Sequence, residues 1–195
     1  MMRWALDNSL QRRRILACSI LLAVLACAAF PGVSDASRKF RGQGFATIVP
    51  SNWTTGKGKQ GASRLYGAAS RKTKRGVAAN TMQLGVSVIP VVDMERQLGR
   101  KLPSTLDELV GIVLQSTQAQ NLQLTAPVRS STLGGRPAAS GAVQFSAPDG
   151  TTLLQSDTIS VYRGRVYIVA YNVDIALQYE GLAILARAHR HWRWR

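Results

Sequence analysis

One glycine-rich segment has the spacing of a phosphate-binding loop. The run Gly56-Lys57-Gly58-Lys59-Gln60-Gly61 fits G-x-G-x-x-G, and its two lysines add positive charge that a phosphate group would favour. The pattern indicates dinucleotide binding only when it opens a helix and is followed about 20 positions later by an acidic residue. A strand-like segment, 62–66, follows instead, and the next acidic residue is Asp93. The sequence therefore favours a mobile loop over residues 55–62.

Side chains that could act as acid, base or metal ligand are few. In an extended tail the two histidines, His189 and His191, would share a face and could bind a divalent metal loosely. Arginines flank them, and neither an H-E-x-x-H nor a G-x-S-x-G motif occurs in the chain. The carboxylates of the second half are scattered: Asp149, Asp157, Asp174 and Glu180. We predict no catalytic residue, no metal and no cofactor, and a protein that is not an enzyme.

Positive charge dominates the chain, with 25 Lys and Arg against 10 Asp and Glu and a formal net charge of +15. No acidic residue occurs between residues 37 and 92. The basic side chains of two predicted loops there are candidates for binding an anion or a partner: Lys57, Lys59, Arg71, Lys72, Lys74 and Arg75. Such a field attracts anionic lipid or acidic envelope polymers. The other interpretation is that the charge only keeps the protein soluble.

The last residues alternate aromatic and basic side chains, Trp192-Arg193-Trp194-Arg195. Tryptophan favours the interfacial zone of a membrane and arginine its headgroups, so this tail is a second candidate binding segment. The alternative is a final edge strand, with both tryptophans packed on a sheet and the arginines in water. The sequence leaves both interpretations open.

The N-terminus has the pattern of an export signal. Three arginines, Arg12 to Arg14, precede an apolar run over 15–30, which is short of the roughly 20 residues that a transmembrane helix needs. Ser34-Asp35-Ala36 offers small residues for cleavage before Ser37. We expect a cleaved leader over 1–36 and a single domain over 37–195, by either general or twin-arginine export. An uncleaved anchor is the alternative.

Both cysteines, Cys18 and Cys27, lie in this leader. Cleavage would leave a chain without a thiol, and therefore without a disulfide or a cysteine metal site. The run Val24-Leu25-Ala26-Cys27 is similar to a bacterial lipobox, which makes Cys27 a candidate lipidation site.

The remaining sequence predicts an α+β domain. Alternating apolar residues or turn-bounded apolar runs indicate strands over 44–50, 82–90, 122–128, 138–146, 151–162 and 165–171. Apolar residues at three- and four-residue spacing predict helices over 104–118 and 176–188. Thr105 and Glu108 have capping-box spacing at the start of the first helix, and Asp174 is a candidate cap for the second. Short turns between neighbouring strands favour antiparallel pairing.

The order of these segments resembles the PsbP-like superfamily. The residues that carry the resemblance are the opening strand with its following tryptophan, 44–53, the helix start, 104–109, and the turns at 133–138 and 163–169. The superfamily packs helices on both faces of an antiparallel sheet. The resemblance therefore implies an α/β/α sandwich with a sheet of about six strands.

The resemblance is strongest to the PsbP-like domain that accompanies some bacterial envelope metalloproteases of the H-E-x-x-H type. It implies a non-catalytic accessory or interaction domain that works through protein contacts on the outer side of a membrane. The expected location is the bacterial periplasm or the exterior, or the thylakoid lumen in a photosynthetic source. A metalloprotease is one expected partner, anionic lipid or polymer is the alternative, and nucleic acid is not an expected partner.

Overall fold

The computed structural model describes residues 36–70, 81–116, 120–147 and 150–195 of the chain. Ten strands lie in these ranges: β1 (Ser37–Gly42), β2 (Phe45–Pro50), β3 (Thr54–Gln60), β4 (Ser63–Ala69), β5 (Met82–Pro90), β6 (Gln120–Leu133), β7 (Arg136–Ser146), β8 (Thr152–Tyr162), β9 (Arg165–Asp174) and β10 (Arg193–Trp194). Seven form one sheet in the order β3-β4-β5-β9-β8-β7-β6, and three form a smaller sheet in the order β1-β2-β10. All the pairings are antiparallel.

Three α-helices accompany the strands: α1 (Val91–Leu98), α2 (Leu106–Gln115) and α3 (Gln178–Arg190). The predicted cap of α2 is confirmed, because the Thr105 hydroxyl accepts a hydrogen bond of 3.3 Å from the Glu108 backbone N–H. Before α3, a short 3₁₀ helix runs over Ile175–Leu177, and the Asp174 carboxylate accepts the Ala176 N–H at 3.0 Å. Thr105 therefore caps α2 as predicted, whereas Asp174 caps the 3₁₀ helix that precedes α3, and the N-cap of α3 itself is Leu177.

The large sheet separates two apolar clusters. Along β5 and β9 alternate residues point to opposite faces, so that Val86 and Val169 join one cluster while Ile89 and Ile168 join the other. The first cluster packs against the small sheet and α3, through Phe45, Val49, Trp53, Leu185 and Trp192 among others. The second packs against α1 and α2, through Met94, Leu109, Val110, Val113 and Leu114. The fold is α+β, as predicted.

The glycine- and lysine-rich segment predicted as a loop over 55–62 is a strand, and that prediction was wrong. Its residues pair with β4 in seven consecutive register positions, from Thr54↔Ala69 to Gln60↔Ser63. Gly61, at φ +56°, forms the turn between them. The composition is that of an edge strand, where exposed lysines keep another chain from pairing with the open backbone. Lys57 and Lys59 are exposed on this edge.

The extended tail expected around the two histidines is also not observed. Helix α3 continues to Arg190 and His191 caps it, so His189 and His191 lie two residues apart at a helix end and do not face each other. Beyond the helix, Trp192 is buried and Arg193–Trp194 pair with β2 as β10. The alternative of a packed final strand is the one that the structure adopts.

Two glycines form the turn between β6 and β7, and both have positive φ, Gly134 at +57° and Gly135 at +77°. A Cβ on Gly134 would lie 2.7 Å from Cδ1 of Trp192 and 2.8 Å from Nε1 of Trp194. A Cβ on Gly135 would meet nothing within 4 Å. The two positions therefore share a backbone requirement and differ in packing alone.

We predict that Gly135→Ala lowers the free energy of unfolding by about 1 kcal/mol, the cost of positive φ for an L-residue. Gly134→Ala adds the displacement of two indole rings and should cost about 1–3 kcal/mol more. Urea unfolding followed by tryptophan fluorescence measures both. Equal losses in the two variants would show that the turn does not position the tryptophans.

Candidate functional site

Two hairpin turns meet at one end of the large sheet. Consecutive antiparallel strands place the β6–β7 turn and the β8–β9 turn at the same end, and β7 and β8 are neighbours in the sheet. The first turn ends in Arg136, and the second is Arg163-Gly164 followed by Arg165. Strand order thus brings together arginines that are far apart in the sequence.

Tyr162 is the centre of this group. The guanidinium carbon of Arg136 lies 4.3 Å from the centroid of its ring, and that of Arg163 lies 5.0 Å from it. Arg165 is its direct cross-strand partner and so lies on the same face of the sheet. Both cation–π distances are within the roughly 6 Å at which the ring attracts a cation. The phenol ring therefore holds two guanidinium groups in place at the surface.

The C-terminal strand joins this group from the small sheet. The indole of Trp194 lies 4.8 Å from the Tyr162 ring, and its Nε1 donates a hydrogen bond of 2.9 Å to the Leu133 carbonyl. A guanidinium nitrogen of Arg163 donates to the Arg195 carbonyl at 3.4 Å. We name Arg136, Tyr162, Arg163, Arg165, Trp194 and Arg195 the arginine–aromatic patch.

The charge of the patch is not neutralised by acidic side chains of the described residues. The acidic side chains Asp93, Glu95 and Glu108 form ion pairs away from the patch. These pairs lie within α1, between α1 and the residues after it, and between those residues and α2. Arg136, Arg163 and Arg195 are exposed. Burial raises the pKa of Tyr167, and the nearby guanidinium of Arg165 opposes that rise. The patch is thus a positively charged surface built on aromatic rings.

The sequence-predicted binding residues divide between this patch and other places. Trp194 and Arg195 belong to the patch, Trp192 lies beneath it with 1% of its surface exposed, and Arg193 is exposed and donates to the Trp192 carbonyl. Lys57 and Lys59 lie on β3, at the far edge of the sheet, and do not join the patch. The remaining candidates lie outside the described residues: Cys27, Arg71, Lys72, Lys74 and Arg75.

Four patch residues were absent from the sequence prediction: Arg136, Tyr162, Arg163 and Arg165. A signal for them exists, because an arginine next to glycine occurs in both hairpin turns, at Gly135-Arg136 and Arg163-Gly164-Arg165. Pairing the strands in sequential order would have placed the two turns side by side. The sequence has no signal for the contact between the Tyr162 and Trp194 rings, which links these turns to the C-terminal strand.

His189 and Asp157 are titratable groups whose pKa burial shifts, and both lie away from the patch. His189 has an Nε2 without a hydrogen-bond partner, and burial lowers its pKa to about 4. In the part of the chain that the structure describes, no group of three or more His, Cys, Asp or Glu residues is placed to hold a metal ion. His189 is therefore a neutral packing residue at neutral pH.

Asp157 is the second of these groups, with none of its surface exposed. Gln155 donates a hydrogen bond of 2.8 Å to its Oδ2, while Oδ1 has no partner. Desolvation raises the pKa of this carboxyl to about 7, and the Gln155 hydrogen bond opposes the shift. It lies on the face of the sheet opposite to α3, because Ile159 on the same strand and face belongs to the α1–α2 cluster.

Comparison with known proteins identifies the fold. No protein-family model matches the chain, and no curated protein matches it. Among solved structures it is similar to cyanobacterial PsbP (CyanoP) from Synechocystis sp. PCC 6803, with a TM-score of 0.50 and 9% identity over 88% of this chain and 99% of that one. It is also similar to the Ran-binding protein Mog1p of Saccharomyces cerevisiae, with a TM-score of 0.51 and 13% identity over 82% and 96% of the two chains. The chain therefore has the PsbP-like fold, which it shares with Mog1p.

No helix in the described ranges is both long enough and apolar enough to serve as a transmembrane span.

We predict that Asp157 makes stability depend on pH. The folded state holds this proton to about pH 7, whereas an unfolded aspartate releases it near 3.8, so the free energy of unfolding falls between those values as pH rises. The slope is at most about 1.4 kcal/mol per pH unit. Asp157→Asn keeps an acceptor for Gln155 and does not titrate, so its stability relative to the parent should rise from pH 4 to 7 and then level off. Urea unfolding across this range measures the difference; parallel curves would contradict the assignment.

Proposed function

We propose that this chain, which has the PsbP-like fold, is an exported, non-catalytic accessory domain that works through contacts with another protein. The observation that carries the proposal is the packing of the large sheet. Apolar clusters are buried on both of its faces, under α1 and α2 on one side and under α3 and the small sheet on the other. Strand edges, hairpin turns and outer helix faces are the surfaces that the described part presents to other molecules.

The distribution of titratable groups supports a non-catalytic role. The sheet lies between Asp157 and His189, two groups whose pKa burial shifts, since α3 packs on the face opposite to Asp157. General acid–base chemistry needs such groups within hydrogen-bond reach of one substrate. The neighbour Mog1p is described as a Ran-binding protein, so one domain of this fold has a protein as its ligand.

The proposed location is the outer side of a membrane, in a periplasm or a lumen, after removal of the leader over 1–36. The basic, apolar and small-residue order of that leader supports export. The proposed partner is a membrane-bound envelope complex, with a metalloprotease of the H-E-x-x-H type as the first protein to test. The support for that partner is the sequence resemblance alone.

A second candidate function is electrostatic binding of anionic lipid or envelope polymer. The exposure of Lys57 and Lys59 on the edge strand favours it, because both ammonium groups can reach a surface that passes the edge. The other basic segments that this function would use are the C-terminal tail and residues 71–75, which lie outside the described residues.

We predict that the chain, produced with a C-terminal tag in a host with a bacterial envelope, is recovered outside the cytoplasm with Ser37 as its first residue. Affinity capture from that fraction should retain a stoichiometric protein after a wash with 150 mM salt, because a specific contact survives an ionic strength that screens exposed charges farther apart than about 8 Å. Mass spectrometry measures both the terminus and the captured protein. Recovery from the cytoplasm, or loss of every protein in the salt wash, would contradict the proposal.

Under the second candidate function, we predict that vesicles containing phosphatidylglycerol bind the chain and that Lys57→Gln/Lys59→Gln weakens this binding. Each lysine near an anionic surface contributes about 1 kcal/mol, so the double variant should bind about 30-fold more weakly at low salt. Sedimentation with vesicles measures the effect. A change of less than twofold would remove β3 from the contact.

A further inference from the structure

We propose that the arginine–aromatic patch is the contact surface for the partner, and that the partner presents Asp and Glu carboxylates to it. This inference rests on the proposed function, because it names the surface and the chemistry of the same protein contact. Arg136 and Arg163 are its two anchors, and the Tyr162 ring orients both.

The composition of the patch is that of an interface centre. Arginine, tyrosine and tryptophan are the residues most enriched among those that dominate binding energy at protein interfaces, whereas lysine is depleted there. The patch contains four arginines, one tyrosine, one tryptophan and no lysine. The exposed lysines named above lie instead on the edge strand β3, away from the patch.

The geometry favours carboxylates. A guanidinium group stacked on an aromatic ring keeps the N–H groups of its edge available, and these donate two parallel hydrogen bonds to a carboxylate. Arg136 and Arg163 are held at 4.3 and 5.0 Å from the same ring, and Arg163 is tied to the Arg195 carbonyl as well. Less side-chain freedom is therefore lost on binding than for free arginines.

The backbone at Arg163 adds a second, independent observation. Arg163 and Gly164 have φ of +47° and +70°, which are the signs of a type I′ hairpin turn. Asparagine is the preferred residue at the first of these positions, and arginine is strained there by about 1–2 kcal/mol. A strained residue held at an exposed turn points to a function of its side chain.

This strain provides a test variant that does not endanger the fold. Arg163→Asn creates the preferred Asn-Gly turn, so we expect its melting temperature to equal or exceed that of the parent chain. Arg136→Gln removes the other anchor at an exposed position. Lys57→Gln/Lys59→Gln removes two charges at the far edge of the sheet and is the matched control.

The probe is a fluorescent 15-residue peptide of alternating glutamate and serine, titrated with the full chain at 150 mM salt and followed by anisotropy. We expect Arg163→Asn to weaken binding about tenfold and the variant with both anchors replaced to weaken it further. The control should change binding less than twofold, because charges farther away than the Debye length of about 8 Å are screened. The Nε–Hε NMR signals of Arg136 and Arg163 should shift on binding.

Two results would overturn the inference: no binding of the peptide, whether or not phosphatidylglycerol vesicles bind, or equal weakening in the control and the anchor variants. The proposed function fails separately. If envelope capture at 150 mM salt yields a partner and the Arg136→Gln/Arg163→Asn variant captures it equally well, the patch is wrong and the accessory function stands. If the peptide binds as expected but no partner is captured, the accessory function is wrong.

Discussion

The stacking of Trp192 on Phe45 is the contact on which the assembly of the two sheets depends. The ring centroids lie 4.8 Å apart with only 8° between the ring planes, and both residues are almost fully buried. Trp192 follows the last turn of α3, while Phe45 begins β2, so this pair fixes the helix and the small sheet at once. Phe45 also contacts Phe40 and Tyr66 edge-on, which extends the aromatic contacts from the small sheet to β4 of the large sheet.

The same aromatic contacts determine what the surface presents. Trp194 touches Trp192 on one side and Tyr162 on the other, and Tyr162 holds the two guanidinium groups. The aromatic rings thus connect the core to the exposed arginines and fix where those arginines lie. Rings are suited to this because they are large and rigid and lose little conformational entropy. An arginine on a free tail would have the same charge without a fixed geometry, and geometry is what distinguishes one acidic surface from another.

The sequence predicts elements whose pattern is local. Helix α2 and the strands β5, β7, β8 and β9 were identified because a cap, an alternation or a bounded apolar run is contained within each segment. The sequence does not predict strand β3, because its evidence is the pairing partner β4. It does not predict helix α1 either, because that helix begins directly after the strand predicted over 82–90. Asp93 in the first turn of α1 and Gly99 at φ +67° beyond its end are the local signals that were available for that helix. The patch depends on contacts between four strands, which periodicity does not encode.

The small sheet has a consequence for the time course of folding. The hydroxyl of Thr47 on β2 donates a hydrogen bond to the Ala188 carbonyl in α3, and these two residues are 141 positions apart in the chain. Contacts of such long range form late, because most of the intervening chain must be ordered first. Until then the apolar side chains of β2 lack the cover that α3 provides in the folded state. A chain of this topology therefore completes its core only after its last segment has been synthesised, and a chaperone that shields β2 would act in that interval.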